Sequence, residues 1–253
     1  MPILDRDGVG IFHEDHGSGP AILLTHGYGA TSRMWGPQLR ALSDRLRFLT
    51  WDIRGHGASD SPEDPAAYSE EASVADMLAI LDAAGVERAI VGGLSLGGYL
   101  SLAFHARHPE RVRALMLFDT GPGYRSDEGR AKWNALAERY ARGLEQKGLA
   151  ALGGSPEVRE SQHRHGPRGL ALAARGILAQ RDSRVIDSLP AIAVPTLVLW
   201  GEKDEAFVKP GEYMAAKIPG ARRIVLAGAG HAANLDQPAA FNAAVEEFVR
   251  SLP

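Results

Sequence analysis

Short apolar, β-branched runs alternate with longer stretches of helical spacing along this chain. The runs are AILLTHG (21–27), RFLTWD (47–52), ERAIVGG (87–93), VRALMLFD (112–119), PTLVLWG (195–201) and RRIVLAG (222–228). Several are apolar at consecutive rather than alternate positions, the pattern of strands buried on both faces of a parallel sheet. Helical spacing falls between them, over 72–84, 97–107, 209–217 and 238–250. Ahead of the first run, GVGIFHED (8–15) predicts an antiparallel edge hairpin. The alternation predicts an α/β fold: a mostly parallel twisted sheet of about eight strands with helices on both faces.

One interval breaks the rhythm. Residues 121–187 hold helical patterns, notably 132–152 and 167–180, and no convincing strand. They predict a helical insertion lying over the sheet, a small cap, with 1–120 and 188–253 forming the core. At 253 residues and 45% hydrophobic content the chain can bury one large core.

Charge and composition narrow the functional classes. The net charge of −3 is spread along the chain with no basic stripe, which argues against nucleic acid as a partner. The absence of cysteine excludes disulfides and thiolate zinc sites. The first residues, MPILDRDGVGIF, carry acidic groups and lack the apolar core of a signal peptide. No apolar run reaches membrane-spanning length. These features predict a cytoplasmic protein, monomer or homodimer, with neither membrane nor metal involvement.

The candidate chemistry starts at Ser95, set as Gly93-Leu94-Ser95-Leu96-Gly97 between a predicted strand and a predicted helix. A sharp strand-to-helix turn would push the hydroxyl into the open, and glycines two residues to either side relieve the crowding. The helix that follows would aim its free N–H groups at an oxyanion, which makes Leu96 one candidate backbone donor. A serine hydroxyl needs a base, and the base needs an acid to orient it. Of nine histidines, His231 lies just beyond the last predicted strand, where loops at one end of the sheet converge. His105 and His108 read as surface residues at a helix end, and His163 and His165 fall in the insertion, where at most they line a pocket. His13 and His16 belong to the hairpin, and His56 to a tight turn. Asp204 directly follows a strand and is the expected acid; Asp119, also just after a strand, is its rival. Asp52 reads as structural. The loop after the first long run, His26-Gly27-Tyr28-Gly29, supplies the second candidate oxyanion donor at the Tyr28 N–H.

Taken together, HGYG, DIRGHGASD, GLSLGG, VPTLVLWGEKD and GAGHAANLDQP resemble the α/β-hydrolase superfamily in its compact, cap-bearing form, over nearly the whole chain outside 121–187. The resemblance implies a Ser95–His231–Asp204 triad, no cofactor, and a cap that selects a small-molecule substrate. Tyr28, Tyr124 and Trp133 are the expected pocket residues. Dehalogenases and epoxide hydrolases of this fold place aspartate where this chain has Ser95. Carbon–carbon hydrolases usually show Asn before the serine and Trp after the histidine, where this chain has Leu94 and Ala232. The expected activity is hydrolysis of a carboxylic ester or lactone; a cofactor-free haloperoxidase-like enzyme and a slow-turnover small-molecule receptor are the other classes compatible with such a site. Residues 121–187 carry twelve Lys/Arg and eight Asp/Glu. That basic excess favours a carboxylate-bearing substrate if it faces the pocket, and a neutral one if it faces solvent.

Overall fold

Most of the β-runs hold three or more consecutive apolar residues, and in the computed structural model, which describes residues 3–253, each run becomes a strand of one sheet. The strands are β1 (Ile3–Arg6), β2 (Val9–His16), β3 (Ala21–Thr25), β4 (Arg47–Trp51), β5 (Ala89–Leu94), β6 (Val112–Phe118), β7 (Thr196–Gly201) and β8 (Arg222–Leu226). Their order across the sheet is β1-β2-β4-β3-β5-β6-β7-β8. The β1–β2 and β2–β4 pairs are antiparallel, so the predicted edge hairpin is present; every other pair is parallel. All six residues of β5 and of β7 are buried, as consecutive apolar residues require.

Helices cover both faces: α1 (Gly36–Leu42), α2 (Glu70–Ala83), α3 (Leu96–Arg107), α4 (Asp127–Lys147), α5 (Pro156–Arg159), α6 (Pro167–Ala173), α7 (Arg184–Ser188), α8 (Glu205–Lys217), α9 (Ala233–Asp236) and α10 (Pro238–Arg250). The period of two in each strand divides the core into two layers. Leu115 and Leu117 of β6 join Met77, Leu81, Leu100 and Phe104 of α2 and α3. Met116 and Phe118 point the other way, to Leu42 of α1 and Phe241 and Phe248 of α10. Each such side chain contributes about 1.5–3 kcal/mol when fully buried. The far edge, β8, has only Leu226 fully buried and carries Arg222 and Arg223, charges that discourage pairing with another sheet.

Three element boundaries differ from the sequence reading. Helix α1 was not expected, because GPQLRAL opens on Gly-Pro and buries only Gln38 and Leu42. Helix α8 begins at Glu205, ahead of the expected 209, and carries Pro210 inside it. In the interval between β6 and β7, α4 ends at Lys147 and gives way to a 3₁₀ turn, and α6 passes into a π turn over Ala174–Leu178. There Gly176 meets the Tyr68 backbone so closely that no Cβ fits. Among the described residues, no helix is long and apolar enough to cross a membrane.

Candidate active site

Ser95 stands between β5 and α3 with φ 55° and ψ −117°, a conformation disfavoured for any residue with a Cβ. Strain of this kind costs on the order of 1–3 kcal/mol and persists only where the surroundings impose it. Here they do. The Ser95 N–H donates to Phe118 O at 3.0 Å, and its carbonyl accepts from Thr120 Oγ1 at 2.6 Å and Tyr99 N–H at 3.1 Å. A Cβ on Gly93 would lie 2.5 Å from both the Gly97 carbonyl carbon and Thr25 O. The turn therefore cannot form without glycine at these places.

The other two candidate groups come from the ends of β7 and β8. Gly201 closes β7, and the Asp204 N–H donates to Gly201 O at 3.0 Å, which sets Asp204 at the start of α8. Its Oδ2 lies 2.7 Å from His231 Nδ1. Phe207, one turn into α8, stacks on the imidazole at 5.0 Å and 24° between planes, which fixes the ring's remaining freedom. Gly230 N–H donates to Asp236 Oδ2 at 2.8 Å, anchoring the loop that carries His231. Ser95, Asp204 and His231 all border one cavity of about 760 Å³. No hydrogen bond joins Ser95 Oγ to His231 among the described residues; such contacts commonly tighten only around substrate. The Nδ1 contact with a carboxylate places the proton on Nδ1 and leaves Nε2 as a proton acceptor.

The two candidate backbone donors stand free. Leu96 opens α3, so its N–H has no partner within the helix. In the loop after β3, Ala30 N–H donates to Gly27 O and Gly29 N–H to His56 Nε2, leaving Tyr28 N–H uncommitted. The Tyr28 ring walls the cavity, and its hydroxyl donates to Leu170 O of α6 at 2.9 Å, tying the loop to the segment above. Burial pushes that hydroxyl's pKa upward. Tyr124 and Trp133 also line the cavity, 6.1 Å apart between ring centroids.

Asp119, the rival acid, is buried and accepts from Gly201 N–H at 2.7 Å; His231 is bonded to Asp204 instead. Asp52 accepts from Ser32 and Ala58 N–H groups, the structural part expected of it. Two histidine expectations are corrected. His105 is 6% exposed rather than on the surface, because α3 packs on β5 and β6 and against α2 and α7 and buries ten of its twelve residues. His163 does not line the cavity: it accepts from Gly57 N–H and donates to Gly29 O, a latch between the interval and the loop carrying Tyr28. Sequence reading also missed Phe207, Tyr140, whose ring stacks on Tyr28, and Glu157, a buried carboxyl at the cavity wall. For Phe207 the signal was present, one turn beyond Asp204 on a helix face.

A family model described as the alpha/beta hydrolase fold matches residues 20–184, and the chain belongs to that family. It is 30% identical over 271 residues to 3-oxoadipate enol-lactonase 1 of Acinetobacter baylyi, covering 99% of this chain and 97% of that protein. A putative 2-succinyl-6-hydroxy-2,4-cyclohexadiene-1-carboxylate synthase of Bacillus subtilis is 27% identical, with 97% of each chain covered. Among solved structures, a thermophilic esterase from Thermogutta terrifontis superposes with a TM-score of 0.81 at 30% identity, covering 98% of this chain and 96% of the esterase.

Proposed function

We propose that this protein is a serine hydrolase of small, neutral carboxylic esters or lactones, with residues 121–187 as its lid. The observation that carries the reading is the 2.7 Å contact between His231 and Asp204, on the border of a cavity shared with a serine held in a strained turn. In this reading His231 Nε2 takes the proton of Ser95 Oγ as the oxygen attacks the substrate carbonyl carbon. Asp204 steadies the imidazolium that results. The Leu96 and Tyr28 N–H groups hold the oxyanion, and losing either costs about 3 kcal/mol in barrier. His231 gives its proton to the leaving alkoxide and the acyl group stays on Ser95; a water deprotonated by His231 then attacks the acyl carbon, and His231 returns that proton to Ser95 Oγ as the acid leaves. Similarity to an enol-lactonase and an esterase supports the ester and lactone class.

The test uses purified protein, a panel of esters and lactones, and a serine-directed organophosphate. Many turnovers are expected, with one label per chain at Ser95. Ser95→Ala is expected to stay folded and to lose roughly 10⁴- to 10⁶-fold in kcat, because the three residues act as a unit. A single slow turnover with a ligand-induced rise in melting temperature would identify a receptor instead.

A further inference from the structure

Two carboxyls meet behind His231, and only one of them faces it. Asp119 follows β6, is 0% exposed, and adopts φ 44°, a left-handed conformation that non-glycine residues rarely hold. That backbone turns its carboxyl under the end of β7. Oδ1 accepts from Gly201 N–H at 2.7 Å, whereas Oδ2 is buried and, among the described residues, has no well-formed hydrogen bond. Facing the carboxyl are the Gly201 N–H of β7 and the Ala233 N–H of α9, which favour its charged form, and the Asp204 carboxyl at the head of α8, which lies within hydrogen-bonding reach and opposes it. Asp204 is the charged group against it, and His231 lies on the far side of Asp204.

Two touching carboxyls shut away from water do not both ionise; one keeps a proton. Asp204 has His231 Nδ1 to accept from, so charge is stabilised there. Asp119 has a buried oxygen without a well-formed hydrogen bond, and a proton on that oxygen converts it from an unsatisfied acceptor into a donor to Asp204. We propose that Asp119 is a protonated carboxylic acid at neutral pH, and that its O–H holds the Asp204 carboxylate in line with His231. Burial, followed by the charge of Asp204, pushes the Asp119 carboxyl well above the usual carboxylate range, in agreement with this arrangement. Asp119 is thus a positioning residue, touching neither substrate nor imidazole. Its effect on turnover rests on the Ser95–His231–Asp204 reading; its protonation does not.

Three measurements on the full chain test this. Infrared difference spectra of wild type and Asp119→Asn at about pH 8 are expected to contain the carbonyl stretch of one protonated carboxyl, lost in the variant. Its absence from the wild type overturns the proposal. Thermal melting gives an independent sign. A carboxyl whose folded pKa is raised lends stability that is complete below its unfolded pKa, about 3.9, and is lost as pH rises through the folded one. Asp119→Asn, neutral throughout, should therefore melt above wild type at about pH 8, with the gap closing toward about pH 4. A gap that does not depend on pH overturns protonation. In turnover, Asn keeps a donor and should retain activity, whereas the similarly sized Asp119→Leu should lose roughly 10- to 100-fold in kcat at unchanged KM. Equal losses in the two variants overturn the positioning role. Should wild type hydrolyse nothing on the panel, the spectrum and the melting curves still decide the protonation of Asp119.

Discussion

Four histidines flank the loops beside the cavity, and they are built in opposite ways. His231 has one ring nitrogen bonded to Asp204 and the other, among the described residues, without a partner. His26, His56 and His163 have both nitrogens committed to backbone. His26 donates to Gly27 O at 2.7 Å and accepts from Ile53 N–H at 3.0 Å. His56 donates to Arg54 O and accepts from Gly29 N–H, and His163 completes the row by bridging Gly29 O and Gly57 N–H. Their rings follow one another at 5.1 Å and 6.0 Å. Each of the three is thereby fixed as one neutral tautomer, and burial lowers the pKa of all three. In the proposed mechanism the proton acceptor is the imidazole with an uncommitted nitrogen at the cavity; a fully committed imidazole is a strut for the loop that carries Tyr28.

The largest effect expected from this contrast is an exchange of phenotypes. His231→Ala should lower kcat by about 10⁴-fold or more and leave the melting temperature nearly unchanged. His56→Ala should do the reverse. It strands the Gly29 N–H in the interior, which costs about 1–3 kcal/mol, or about 2–4 °C of melting temperature per kcal/mol in a chain of this size. Thermal melts beside initial rates on both variants check this; equal destabilisation by the two would break the contrast.

A smaller effect lies in pH. For a histidine whose folded pKa is lowered, stability is complete above the unfolded value of about 6.5 and is lost as pH falls toward the folded one, because the unfolded chain takes the proton first. Three such residues should make the protein melt earlier as pH drops from about 7 to about 5, while Asp119, which keeps its proton in the folded state, acts in the opposite direction across that range. His163 is half-buried at the seam, so His163→Asn tests the slope without emptying the core. The variant should lose less melting temperature on acidification than wild type does. Equal slopes would show that His163 is not held neutral.

The same contrast explains what was legible in the sequence. Ser95, Asp204 and His231 each follow a strand, and strands buried on both faces are fixed by their own composition, so the loops at their ends are placed before any packing is known. The candidate donors Leu96 and Tyr28 stand just past strand ends for the same reason. The helical interval was legible as helices but not as a surface. Periodicity in 121–187 says which residues share a face, and nothing in it says which loop that face meets. Hence His163, read as a pocket residue at most, forms a latch, and Glu157 and Tyr140 went unremarked. His105 was misread for a related reason: FHARHPER looks like a frayed charged end, yet α3 is enclosed as far as His105.

The smallest effect concerns substrate charge, and here that interval is decisive. None of its Lys or Arg residues is in the cavity lining, and several are paired with neighbours: Arg130 with Asp127, Lys132 with Glu128, Arg142 and Arg175 with Glu138, and Arg184 with Asp182. Exposed pairs of this kind contribute about 0–1 kcal/mol each and select nothing. Apart from Asp204 and His231, the ionisable side chains on the cavity wall, tyrosines aside, are Lys209, exposed on α8, and Glu157, 7% exposed. Glu157 Oε1 accepts from Ser155 Oγ at 2.6 Å, and its Oε2 has no donor. A carboxylate on the substrate would meet that buried carboxyl on the cavity wall, where it finds another acceptor instead of a donor. Matched esters with and without a remote carboxylate should therefore differ several-fold in kcat/KM in favour of the neutral one, with little change as ionic strength rises. Glu157→Gln should narrow the difference by improving the charged ester alone. A charged ester preferred at low salt, with the preference fading as salt is added, would instead mean that the surface arginines steer the substrate in.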